Sequence, residues 1–528
     1  MLTPRGRRVG ARRTALAILA AAVLMAVFGL RGPGVAAPEK VLKVAVYGEP
    51  LGLNPAHQRG DLAGDHVMWN LFDPLFRWDY EKSELVPELA KGVSVESPTS
   101  WVIEVRPGIQ WHKGYGELTA EDVAFTVNHI IKDNTPMKFL FASVKGAEVV
   151  DKYRVRIELE RPFTPALVTG FAGLGGRVIN KKAFTEMGPD KYRRAPIGTG
   201  PFEFEEWVSG DHITIRKFKD YWDKGLPLLD KVVWTFVPDA TVKQNLLRTG
   251  GVHLIDRPEY KDIPRLKQDA ALTVQVVPGW NWDYFTFGHL EKPFDQKAFR
   301  QAIAYAIDRQ QIADSVYFGA AYPAIGPQPR GYQFFDASLQ KYPFKADLDK
   351  AKALLTEAGY PNGYPTPLNI ITSDKPNLRQ ETEIVAQQLR KVGIRLNLQF
   401  QDMATFDKAQ RVVSKPGEVD THLEDITIMA PDIHTSVYWF HRTKAGSLVR
   451  SYSNPQLDAL LDRGAQLFKT EERRAAYRDA MRTIIDEAWY IYTVHVAQVR
   501  IMRKEVQHFK TSPDDMEIWL KHVDLAGQ

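Results

Sequence analysis

Residues 380–400 read QETEIVAQQLRKVGIRLNLQF. From about Gln380 to Val392 the stretch predicts a helix that stops at Gly393. Beyond the glycine, Ile394, Leu396, Leu398 and Phe400 alternate with Arg395, Asn397 and Gln399, the pattern of a half-buried strand. A helix that feeds a strand across a single glycine is the working unit of an α/β fold, and the neighbouring sequence repeats the theme. Upstream, Leu354 and Leu355 end a helix at Gly359, with Pro361 just beyond. Earlier still, Asp295–Ile307 predicts a helix with Phe299, Ala302, Ile303, Ala306 and Ile307 on one side, and Asp308 restarts a second helix. Downstream, Asn454-Pro455 supplies a cap and an N1 proline. Thr470 then opens a helix whose stripe is Tyr477, Ala480, Met481, Ile484 and Ile485.

The N-terminal half carries the same kinds of element. Val41 to Tyr47 predicts a strand, with Leu42, Val44 and Val46 on one face, ending at the turn Gly48-Glu49-Pro50. Trp101–Val105 predicts another. Thr119-Ala120-Glu121-Asp122 forms a capping box ahead of Val123, Val127, Ile130 and Ile131. The region from Ile197 to Ile255 reads as mostly strand, with a turn at Gly198–Pro201 and the alternating run His212–Arg216. Near Leu272 the pattern passes to a second α/β region. There is no repeat, low-complexity tract or flexible linker. Strands alternating with helices in two halves predict two intimately joined lobes, and ligands of such architectures bind in the crevice between them.

Composition narrows the possibilities. A chain of 528 residues, 44% hydrophobic and 25% charged, can bury a large core without staples. It has no cysteine, which excludes disulfides, thiolate zinc sites, a thiol nucleophile and a lipidated cysteine. Arg5, Arg7, Arg8, Arg12 and Arg13 precede an apolar run from Ala15 to Leu30 and the small residues Gly34-Val35-Ala36-Ala37, which predicts a cleavable signal peptide over residues 1–37. Arg12-Arg13 is also compatible with twin-arginine export. Six of the 69 basic residues lie in that segment and no acidic ones do, so the mature chain carries 63 basic against 64 acidic residues, a net of −1. Such a balance offers no electrostatic footprint for nucleic acid.

Catalytic signatures are missing: there is no G-x-S-x-G, H-E-x-x-H, P-loop or G-x-G-x-x-G. Gly173-Leu174-Gly175-Gly176 reads as a turn. The nearest approach to a metal-ligand set is Asp432-Ile433-His434 with His441. Separate side chains are the favoured reading there, and no metal or cofactor is assigned.

Several motifs occur in order along the mature chain. They are Glu49-Pro50-x-x-Leu53-Asn54-Pro55, Pro87-Glu88-Leu89-Ala90, Arg106-Pro107-Gly108-Ile109-x-Trp111-His112-x-Gly114 and Leu118–Val123. Gly198-Thr199-Gly200-Pro201-Phe202, Tyr221-Trp222, Arg300–Asp308, Leu354–Pro361 and Tyr452–Asp458 follow. Together they resemble the family 5 extracellular solute-binding proteins of ABC importers, the group with dipeptide-, oligopeptide- and nickel-binding members. The resemblance implies a periplasmic-binding-protein type II-like, two-lobed α/β fold with an extra subdomain. By that analogy residues 38–71, 195–275 and 497–528 form the first lobe, 72–194 its inserted subdomain, and 276–496 the second lobe, with hinges near Val276 and Val496. It implies a periplasmic, monomeric, non-catalytic protein that closes on a small solute and delivers it to a membrane permease.

The resemblance also points to where the solute sits. One wall is the turn carrying Tyr47 and Glu49; the other is the segment carrying Thr427, Met429 and Asp432. Peptide-binding relatives have a Gly-Trp and an ammonium-pairing aspartate in that segment. This chain reads Asp425-Ile426-Thr427-Ile428-Met429-Ala430-Pro431-Asp432 instead, leaving Asp432 or Asp425 as the anchor in a shifted register. Trp280, Trp282 and Tyr284 alternate on a predicted strand, and Trp439 follows the variable segment; all are aromatic candidates for a ligand wall. The solute is expected to be a peptide or peptide-like molecule. A metal chelate, a sugar or an opine-like compound is the alternative, and an exported hydrolase or a sensory binding protein are the competing classes.

Overall fold

The helix and strand read from residues 380–400 are present, as Pro376–Arg390 and Leu396–Gln401. The helix begins four residues earlier than expected because Pro376 occupies its N1 position, where a missing N–H costs nothing. Gly393 has φ +82°, and its Cα lies so close to Gly363 that a Cβ on either residue would collide with backbone of the other. Only glycine fits that crossing. The computed structural model describes Met1 and residues 38–57, 61–409, 414–428, 430–443 and 452–527. The rest of the predicted signal segment and the candidate Met429 lie outside the described residues.

Residues Lys40–Gly527 form one unit around an 11-stranded mixed sheet. Along its main path the strands run Leu396–Gln401, Leu368–Ser373, Thr421–Thr427, Leu272–Phe287, Tyr490–Arg503, Leu254–Ile255, Val41–Val46, Lys231–Phe236, His212–Lys217 and Phe202–Val208. The two long strands in the middle, Leu272–Phe287 and Tyr490–Arg503, pair antiparallel from Leu272↔Arg503 to Thr286↔Tyr490. Register shifts interrupt the ladder between Val277 and Asn281 and between Asp283 and Tyr284. Strands from the N-terminal half lie on one side of this pair, and Thr421–Thr427 on the other.

A separate four-stranded antiparallel sheet, ordered Ala90–Ser97, Ser100–Val105, Arg154–Leu159, Val144–Val149, is covered by helix Ala120–Lys132. Trp101, Ile103, Val105, Val123, Val127, Ile130 and Ile157 are buried together between them. The expected capping box is formed: the Asp122 carboxylate accepts from the Thr119 N–H at 3.1 Å. Asp308 and Asn454 cap their helices as expected. The expectation of a mostly stranded region at 197–255 missed one helix, Ala240–Thr249, which Asp239 caps and Gly250 ends in the left-handed conformation. Its buried side includes polar Lys243 and Gln244, so no apolar stripe announces it. No helix among the described residues is long and apolar enough to cross a membrane.

Candidate functional site

Where the strands Val41–Val46 and Leu254–Ile255 end, beside the long pair, the chain lines a cleft of about 420 Å³. Tyr47 and Arg257 leave those two strands; Asn281 lies on the long strand Leu272–Phe287, and Asp425 and Thr427 on the strand paired with it on the other side. Lys375 and Asn377, at the start of helix Pro376–Arg390, complete the polar lining together with Arg500 and Asp515.

Strand parity selects the residues that face the cleft. Asn281 pairs with Thr427 and Asp283 with Asp425, whereas Trp282 pairs with Ile426 and Tyr284 with Glu424. Successive side chains alternate between faces, so the first set lies on the cleft side and the second on the opposite face. Trp282 is fully buried there, edge-on to Phe440 and Tyr492 at 5.6 and 5.5 Å. Trp280 is equally buried, edge-on to Tyr80 and Tyr332. These two candidate wall aromatics are core residues.

The other expected residues also separate. Tyr47 and Thr427 come together in the cleft. Glu49 lies outside its lining, its carboxylate accepting from Trp207 Nε1 at 2.7 Å and from the Gly210 N–H at 2.9 Å. Asp432 is fully buried: it caps helix Ile433–His441 and receives both ends of the Arg473 guanidinium at 2.7 and 2.6 Å. Trp439 stacks obliquely on Phe139 at 5.2 Å, against the four-stranded sheet's core. His434 stacks on Tyr438 and His441 bonds the Tyr492 hydroxyl at 2.7 Å. Burial lowers both imidazoles to about 3. Among the described residues no group of three or more His, Cys, Asp or Glu is arranged to hold a metal.

Arg257, absent from the expected set, is the cleft's most informative residue. It adopts φ +41°, a left-handed conformation that costs a non-glycine residue about 1 kcal/mol or more. One guanidinium nitrogen donates to Asp515 at 2.6 Å, and the group lies over the Tyr47 ring at 4.9 Å while the side chain stays 43% exposed. Desolvation works against its charge, but Asp515 and Asp256 outweigh it and hold Arg257 protonated. Burial likewise pushes Asp515 upward, and Arg257 and Arg500 overcome it, keeping that carboxyl far below its usual range. Beneath Tyr47, the Lys243–Asp256 pair is buried at 2.5 Å, and Asp256 also accepts from the Tyr47 N–H. The arginine is therefore pinned from below while much of its side chain stays open to solvent.

On the other side of the long pair, Lys375 donates to both oxygens of Asp425 at 2.8 and 2.9 Å. Behind Asp425 lies a closed acidic group: the Tyr317 hydroxyl donates to Asp283, with Glu381 3.5 Å away, and Asn377 donates to the same hydroxyl at 3.0 Å. Burial raises both carboxyls, and for Asp283 the nearby Glu381 and Asp425 raise it further. Burial and mutual repulsion thus both favour the protonated form of Asp283.

A larger space of about 1030 Å³ opens elsewhere, lined by Arg77, Tyr80, Phe509, Trp519 and His522 among others. It brings together none of the expected residues, and its Lys510 and Tyr80 are already engaged with Glu81 and Glu517. The smaller cleft is the better candidate because five charged groups, Arg257, Lys375, Asp425, Arg500 and Asp515, converge on it.

A family model described as bacterial extracellular solute-binding proteins, family 5, matches residues 84–447. A glutathione-binding protein of Pectobacterium atrosepticum is 27% identical over 493 residues, 90% of this chain and 92% of that one. Heme-binding protein A of Haemophilus influenzae is 27% identical over 492 residues, 88% of each. Among solved structures, an ABC transporter substrate-binding protein of Listeria monocytogenes superposes with a TM-score of 0.81 at 25% identity, over 93% of this chain and all of that one.

Proposed function

The chain belongs to the family 5 bacterial extracellular solute-binding proteins, and from that premise we propose that its cleft takes a small peptide or peptide-like solute by a carboxylate. Members of this family are the non-catalytic, solute-binding components of ABC importers, and this chain has that role. The carboxylate reading rests chiefly on Arg257. A strained backbone, a fixed orientation over Tyr47 and a charge secured by Asp515 leave a planar guanidinium in the cleft. That is the group best matched to a carboxylate, which it can bind in a bidentate manner. The lining sets three cations, Arg257, Lys375 and Arg500, against two carboxylates, Asp425 and Asp515, which favours an anionic partner.

Asn281, Asn377 and Thr427 supply the amide and hydroxyl groups that a peptide backbone pairs with, and Tyr47 and Tyr260 supply aromatic wall. A space of about 420 Å³ suits a solute of a few residues at most. In this reading residues 38–275 with 497–528 form one lobe and 276–496 the other. They close over the solute about the paired strands that carry Val276 and Val496. That the relatives include a glutathione-binding protein, glutathione being itself a small peptide with free carboxylates, supports the same class.

Native mass spectrometry of the mature protein and of Arg257→Ala tests the proposal. A released anion below about 500 Da from the first and not from the second is the expected result. Equal loading of both proteins would remove Arg257 from the site, and a sugar or metal chelate in the wild type would replace the peptide class.

A further inference from the structure

The Lys375–Asp425 pair carries more than a share of the cleft's charge. Lys375 stands at the N-cap of helix Pro376–Arg390 and makes no capping bond with its side chain. That is the position where Ser, Thr, Asp and Asn are preferred and where the helix dipole disfavours a cation. Nothing in the helix calls for a lysine there. What the lysine does is deliver its ammonium to Asp425, bonding both oxygens at once. Asp425 is the open carboxylate of the cleft, 32% exposed, whereas Asp515 is shut in by two arginines. Behind Asp425 the Asp283 and Glu381 carboxyls are fully buried, each with one oxygen against the Tyr317 hydroxyl. The one lining carboxylate open enough to greet an incoming ammonium is thus already paired.

We infer that Lys375 is a built-in occupant of the ammonium position, so that the cleft selects carboxylate-bearing solutes with no free ammonium at the Asp425 end. N-blocked peptides, or acids joined through an amide, have that chemistry. A solute with a free amino terminus would have to displace Lys375 or place its own ammonium beside it, and like charges at one carboxylate oppose each other. The pair is partly solvated, at 42% and 32% exposure, so the discrimination is a matter of specificity and adds little to fold stability. The inference rests on the carboxylate reading of Arg257 given above.

The test is isothermal titration of wild type, Lys375→Met and Arg257→Ala with N-acetyl-Ala-Phe and with Ala-Phe, each variant first checked for cooperative unfolding. Wild type should prefer the acetylated peptide by about tenfold, and Lys375→Met should reverse the preference by exposing Asp425. Arg257→Ala should lose both. Equal affinities in wild type, or an unchanged ratio in Lys375→Met, would overturn the role of Lys375 while leaving the carboxylate site intact. Undiminished binding of both peptides by Arg257→Ala would overturn the carboxylate site. If neither peptide binds to wild type or to Lys375→Met, both are overturned.

Discussion

Asp425 and Asp432 stand seven residues apart, both paired to a cation, and they do opposite work. Asp432 is sealed from solvent, takes both arms of Arg473 and caps a helix. Asp425 sits on the open face of a strand with a partly exposed lysine across from it. The difference is one of surroundings. A carboxylate at the start of a buried helix is consumed by orphan N–H groups and a desolvated guanidinium; one on a strand face beside a cleft stays partly open to solvent even when a lysine pairs with it. A sequence comparison that offers both as an anchor cannot rank them, because what separates them is a contact with Arg473, forty-one residues further on.

Removing Asp432 should have the largest effect. Asp432→Ala leaves Arg473 charged and unpaired in the interior, at a cost of about 3–5 kcal/mol in urea unfolding. A loss under 1 kcal/mol would contradict the structural role. Trp282→Ala should cost a comparable 3–5 kcal/mol while the folded protein keeps its solute affinity. A weakened solute with unchanged stability would return Trp282 to the ligand wall.

The strand explains why that residue was misleading. Alternation in the sequence correctly gives Trp282 and Tyr284 a common face, but it says nothing of which face the cleft lies on. That depends on which side helix Ile433–His441 covers, a matter of tertiary packing. The secondary structure was far more legible: the capping box at Thr119, the caps at Asp308 and Asn454 and the stop at Gly393 are local chemistry, read within a few residues. Arg257 had no such signal. Lys375 had a faint one, since a lysine immediately before a proline that opens a helix is an unfavourable cap.

A smaller effect separates the buried acids by pH. Asp432 has a lowered carboxyl pKa: burial alone would raise it, but Arg473 prevails. Its folded form binds fewer protons than the unfolded chain, so its contribution holds at neutral pH and is lost as pH falls through the acidic range. Asp283 and Glu381 are raised by burial. The folded protein then binds more protons than the unfolded chain above about pH 4, so stability declines as pH rises from there, by at most about 1.4 kcal/mol per unit for each group. Asp283→Asn should flatten that decline without changing the acid-side loss. A stability curve unaltered by the substitution would mean that the pair is ionised and otherwise compensated.

The smallest effect expected is at Asp425. Asp425→Ala removes a partly solvated ion pair, so unfolding free energy should change by about 0–1 kcal/mol, leaving any consequence in solute affinity and selectivity. A loss as large as that of Asp432→Ala would make the two carboxylates alike and erase the contrast.

The most direct measurement is a crystal structure of the mature protein saturated with a carboxylate-bearing peptide. The solute carboxylate should lie about 2.7–2.9 Å from the Arg257 guanidinium, with Tyr47, Asn281 and Thr427 around it and Trp282 untouched behind the strand. A solute seated instead in the larger space beside Phe509 and Trp519, or lying in the cleft with its carboxylate turned away from Arg257, would contradict it.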